Sequence, residues 1–95
     1  MTDTLEVQRE VEIVNRAGMH ARPAAEFVKT AGRFASEIRV EKDGLEVNGK
    51  SIMGVLMLAA ERGSRLRLSA KGNDAEAAVD ALSDLVGRGF EEMEA

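Results

Sequence analysis

The chain's one histidine and one proline both fall within Gly18-Met19-His20-Ala21-Arg22-Pro23. Imidazole, with an ordinary pKa of about 6.5, is largely neutral near pH 7, so a ring nitrogen is available as a nucleophile without an adjacent base. Arg22, two residues on, carries a planar guanidinium that can pair with phosphate oxygens in a bidentate way that lysine cannot match. The segment lies where a strand pattern ends and a helical pattern begins. A helix start presents N–H groups without intrahelical acceptors and the positive end of a dipole, which favours an anion. A cation such as Arg22 is electrostatically misplaced there until an anion arrives. The chemistry these residues suit is acceptance of a phosphoryl group on His20, with Arg22 holding it.

The elements that must position this segment can be read from periodicity. Leu5, Val7, Val11 and Ile13 alternate with Glu6, Gln8, Glu10 and Glu12, which predicts a half-buried strand from about Val7 to Ile13, interrupted on its apolar face by Arg9. Asn15-Arg16-Ala17-Gly18 is a turn in which Gly18 suits a positive φ. Ala24, Phe27, Val28, Ala31 and Phe34 or Ala35 recur at helical spacing, with Pro23 in the first turn, where a missing N–H costs nothing. Ile38 and Val40, the turn signal Asp43-Gly44, then Leu45 and Val47 predict a hairpin. Ser51 is placed to cap the apolar run Ile52–Ala60, with Gly63-Ser64 as its stop. Leu66, Leu68 and Ala70 alternate as a fourth strand. Asn73 and Glu76 form a capping-box pattern before the stripe Ala75, Ala78, Val79, Leu82, Leu85 and Val86. The tail Glu91–Ala95 is expected to fray. The order β-α-β-β-α-β-α, with one apolar face per element, predicts a two-layer α+β sandwich in one domain spanning residues 1–95.

Composition excludes several function classes. The chain has 95 residues, no cysteine and one histidine, so thiolate or histidine-rich metal sites are ruled out. Seventeen acidic against thirteen basic residues give a net charge of −4, which argues against nucleic-acid binding. No run approaches the roughly 18 apolar residues of a membrane span. The start, Met1–Glu6, has neither the basic residues nor the apolar stretch of a signal peptide, so a cytoplasmic location is expected. One histidine without a companion base gives little scope for an autonomous turnover enzyme.

Gly18–Ala25 with Phe27-Val28 behind it, and Lys50-Ser51-Ile52-Met53-Gly54-Val55 further on, together resemble the signature of the HPr family. Its members are the histidine phosphocarriers of the phosphoenolpyruvate:sugar phosphotransferase system. The resemblance runs from about Val7 to Val86, with both motifs in register. It implies an open-faced sandwich with an antiparallel sheet of order 1-4-2-3 and three helices on one face. It implies that His20 takes a phosphoryl group on Nδ1 from phosphorylated Enzyme I and passes it to an Enzyme II A domain. Arg22 would stabilise the group in both transfers, Gly18 and Pro23 would shape the helix start, and no cofactor is needed.

The second helix is apolar nearly all round. Ile52, Met53, Leu56 and Met57 exceed what one stripe can bury, which fits either a fully buried helix or a surface that meets partners. The resemblance favours the surface, with Ile52, Met53 and Leu56 joined by Met19 and Ala21 beside His20. Arg16, Arg22, Lys29 and Lys50 would be its basic rim. In some HPr proteins the serine matching Ser51 is phosphorylated by an HPr kinase/phosphorylase, and the modified form binds a regulatory protein. A monomer is expected for a diffusing carrier. Two other readings fit the pattern. One is a nitrogen-type regulatory branch of the same family, and the other a ferredoxin-like ligand-binding module sharing the βαββαβ order.

Overall fold

The structure, a computed structural model, describes residues 5–92. Met1–Thr4 and the tail residues Met93, Glu94 and Ala95 lie outside the described residues. Strands β1 (Glu6–Glu12), β2 (Glu37–Lys42), β3 (Leu45–Asn48) and β4 (Arg65–Lys71) form one antiparallel sheet of order β1-β4-β2-β3, the order the resemblance implies. Helices α1 (Ala21–Ala31), α2 (Ile52–Met57) and α3 (Ala75–Gly87) complete the fold, followed by a single turn at Gly89–Glu91.

Register explains the layering. Val7 pairs with Ala70, Val11 with Leu66, and Val40 with both Leu68 and Val47, so the apolar residues of all four strands share one face. That face meets Phe27, Val55, Val79, Leu82 and Val86 from the helices, all 1% exposed or less. At about 25 cal/mol per Å² of apolar surface removed from water, this aliphatic core is the main favourable term in folding. The opposite face is open and laced with charge pairs, Arg65 with Glu10 and Arg67 with Glu41, each at 3.3 Å. Such exposed pairs contribute little to stability and more to keeping the face soluble and unpaired. Arg9, the break in the apolar alternation of β1, is explained by α3: its guanidinium reaches Asp80 at 2.7 Å. Asp43 and Gly44 both take positive φ (51° and 88°), as a two-residue hairpin of primed type requires.

Three features differ from the periodicity, the first being that α1 ends at Ala31, short of Phe34 and Ala35. The apolar run after Ser51 is helical only to Met57: Leu58 is buried, Ala59 adopts φ 48°, and the chain turns there, well before Gly63-Ser64. The run therefore divides into a short helix and a turn that reaches the loop before α1. The capping box at Asn73 and Glu76 does not form. Asp74 is the N-cap of α3 and makes no capping bond. Its carboxylate instead accepts from the amides of Ala35 (2.8 Å) and Ser36 (2.9 Å) and from the Ser36 hydroxyl. Those bonds, the Ser36 hydroxyl first, hold the Asp74 carboxyl below its usual value of 3.8.

Candidate functional site

The loop between β1 and α1 is held from three sides. Asn15 is fully buried and donates Nδ2 to the Gly18 carbonyl at 2.8 Å, while the Gly18 amide donates back to the Asn15 carbonyl at 3.1 Å. Gly18 has φ 72°, and a Cβ there would lie 2.6 Å from the Ala60 carbonyl oxygen. The next residue, Met19, donates its amide to that same carbonyl at 2.8 Å. Glycine is thus needed for both conformation and close approach. The turn after α2 and the loop before α1 are one tied unit.

His20 follows as the N-cap of α1, extended at φ −83° and ψ −171°, and its side chain makes no capping bond. Its carbonyl accepts the first intrahelical bond, from Ala24 at 2.9 Å. Pro23 is buried in the first turn and brings no N–H. The ring is 43% exposed and stands outside the core. Arg22 is exposed in the first turn of the helix.

The C-terminal segment completes the site. Gly89, Phe90 and Glu91 take φ values of 64°, 58° and 59°, a left-handed turn that costs about 1–2 kcal/mol for each non-glycine residue. Phe90, 6% exposed, anchors it in the core. Glu92 then returns to the β1–α1 loop, placing one carboxylate oxygen 2.9 Å from Asn15 Nδ2 and the other 2.8 Å from His20 Nε2. Asn15's hydrogen bond is the largest cause holding the Glu92 carboxyl below its usual value; the His20 contact and the charges of His20 and Arg22 act in the same direction against partial burial. The tail expected to fray thus has Glu92 held against His20.

Around this centre the sequence-predicted residues separate. Ala21 is exposed beside His20, and Ile52 (39%) and Met53 (68%) are exposed on α2. Leu56 is half-buried against the core. Met19 is a correction: it is 4% exposed and packs in the core, because tying its amide to Ala60 turns its side chain inward. Lys50, read as part of the basic rim, turns its ammonium to the Phe34 carbonyl at 2.6 Å, beyond the far end of α1. With Met19 bonded to Ala60, that contact shows α1 and α2 packed antiparallel, so the start of α2 lies away from His20 and its end lies near. Lys29 is exposed in the last turn of α1, likewise distant from the ring. Ser51 caps α2 through its Oγ, which accepts from the Gly54 amide at 3.1 Å.

Sequence reasoning missed three contributors. Met57, 66% exposed, stands at the end of α2 closer to His20, although the excess of apolar residues there was the available signal. Asn15 and Glu92 carried no local signal of their own. Phe90 after two glycines hinted that the chain turns back to the core.

A family model described as the HPr component phosphorylation site of the phosphotransferase system matches residues 7–88. The chain belongs to the HPr family. It is 51% identical over 76 residues to an HPr-like protein Crh of Halalkalibacterium halodurans, covering 80% of this chain and 90% of that one. It is 49% identical over 86 residues to the phosphocarrier protein HPr of Treponema pallidum, covering 90% and 98%. The crystal structure of HPr-C-His from Thermoanaerobacter tengcongensis superposes with a TM-score of 0.89 at 49% identity, covering 93% of this chain and 99% of that one. The HPr fold and the phosphotransferase-system assignment displace the ferredoxin-like alternative.

Proposed function

We propose that this chain, as one HPr-like domain, is a cytoplasmic, monomeric phosphocarrier rather than a turnover enzyme. His20 accepts a phosphoryl group on Nδ1 from phosphorylated Enzyme I and delivers it to Enzyme II A domains in sugar uptake. The observation that carries the proposal is the start of α1, where an exposed imidazole occupies the N-cap without capping, and Arg22 follows within the first turn. In the transfer, the Nδ1 lone pair forms a bond to phosphorus as the donor's phosphorus–nitrogen bond breaks, and the donor ring leaves with that electron pair. Arg22 and the amides at the helix start stabilise the charge on the moving group. A phosphorus–nitrogen bond passes readily to another histidine, so the domain needs only to orient the transfer and dock weakly. Ala21, Ile52, Met53, Met57 and the exposed part of Leu56 supply an apolar patch for docking, and flexible methionines suit more than one partner.

The experiment is incubation with Enzyme I and labelled phosphoenolpyruvate. An acid-labile, alkali-stable label that vanishes in His20→Ala is expected; a label retained in that variant, or none on the unmodified chain, overturns the proposal.

Ser51 supports a regulatory reading alongside, in keeping with relatives named Crh. A phosphate on Ser51, placed by an HPr kinase/phosphorylase, adds about −1.5 to −2 charges at the α2 start. Because that start faces away from His20, the phosphate acts by charging the docking patch and not by touching the ring. It also creates a new surface for a regulatory protein. A Ser51→Asp variant should raise the KM of Enzyme I for this substrate while leaving the label on His20; identical kinetics would remove the regulatory reading.

A further inference from the structure

Three observations converge on Glu92. The left-handed turn at Gly89–Glu91 aims it at the β1–α1 loop, and burial of Phe90 fixes where that turn sits. Asn15 is fully buried, with its amide nitrogen divided between the Gly18 carbonyl and Glu92. Reversing that amide would face an oxygen to two acceptors, so its orientation is set even though Oδ1 has no partner among the described residues. Finally, Glu92 itself is only 14% exposed at its side chain and lies 2.8 Å from the His20 ring. An ionised carboxylate can only accept a hydrogen bond, so His20 Nε2 must be the donor, and in the neutral ring the lone pair then sits on Nδ1.

We infer that Glu92, seated by Asn15, is a positioning residue for His20: it fixes the ring plane and the Nε2 proton so that Nδ1 is the attacking nitrogen. It further offsets the positive charge the ring acquires as Nδ1 bonds phosphorus. The Nε2 proton stays in place throughout, and Glu92 never touches the phosphoryl group. This role rests on the phosphocarrier reading and extends it to the C-terminal segment, outside both the His20 and the Ser51 segments.

The test uses the full chain with Glu92→Ala and Glu92→Gln, Enzyme I and labelled phosphoenolpyruvate, together with NMR of the exchangeable ring proton. In the unmodified chain the Nε2 proton should be visible downfield, and Glu92→Ala should lose it to solvent exchange. Glu92→Ala should lower kcat about tenfold with KM within about twofold, the mark of an interaction that strengthens in the transition state. Glu92→Gln, which keeps an acceptor without the charge, should fall between. An unchanged ring-proton signal in Glu92→Ala, or an unchanged kcat, overturns the inference. Should the unmodified chain accept no label while its ring proton still depends on Glu92, the phosphocarrier reading fails and the positioning contact stands.

Discussion

Helices α1 and α2 begin with opposite solutions to the same problem. At α2, Ser51 turns its hydroxyl onto the Gly54 amide, and the helix start is closed by its own chain. At α1, the N-cap is a histidine that leaves the start unsatisfied by any side chain, with a proline and an arginine in the first turn and no acid among them. The first arrangement is what stability favours. The second gives up about 1 kcal/mol of capping and sets a cation where the dipole disfavours one. On the phosphocarrier reading, what α1 gains is a start ready for an anion that comes and goes. A closed start could bind a phosphoryl group only by first losing its cap.

The most direct way to break the contrast is to give α1 the cap that α2 has. His20→Ser should abolish phosphoryl acceptance from Enzyme I altogether while raising the unfolding free energy by about 1 kcal/mol, measured from urea denaturation. A variant both inactive and less stable would mean that the Nε2–Glu92 hydrogen bond lost with the ring outweighs the cap that is gained.

The loop that presents His20 comes next in size. Gly18→Ala forces a Cβ to within 2.6 Å of the Ala60 carbonyl oxygen at a positive φ, so something in the tied unit must move. A loss of about 2–3 kcal/mol is expected, with slower phosphorylation of the molecules that remain folded. Stability loss with an unchanged transfer rate would separate the loop's shape from the ring's placement. A smaller effect belongs to α2: Ser51→Ala should cost about 1 kcal/mol and leave acceptance by His20 essentially intact, because that cap lies at the far end of the helix pair.

The same contrast sorts what the sequence could reveal from what it could not. The His20 and Ser51 starts were legible because each depends on residues adjacent in the chain: a strand end, a turn glycine, a helical stripe. The strand order followed from resemblance, since alternation identifies a strand's inner face but not its neighbours. Met19 was misplaced because its burial depends on a bond to Ala60, a residue in a different turn. Lys50 was read as rim from the motif alone; its bond to the Phe34 carbonyl depends on how α2 runs against α1. Glu92 was invisible for the same reason in stronger form, being 72 residues from the ring it touches. Asp74 shows that local pattern can mislead, for its carboxylate bonds across to Ser36 and not to its own helix.

Asp74 also offers the smallest and most specific test, because it too is a helix N-cap that declines to cap. Its pKa is lowered on folding, so the stability it contributes is fully present above 3.8, the ordinary value, and is lost as pH falls through the depressed folded value. Asp74→Asn should therefore be less stable than the unmodified chain at about pH 6, and the gap should narrow as the pH approaches about 3. Glu92, lowered from 4.5 by its own contacts, retains its share of acid sensitivity in that variant, so the curves converge without becoming flat. Urea midpoints across this range would check it. Parallel curves would mean that the amides of Ala35 and Ser36 serve a neutral side chain as well as a charged one, and that the tie between the end of α1 and the start of α3 owes nothing to ionisation.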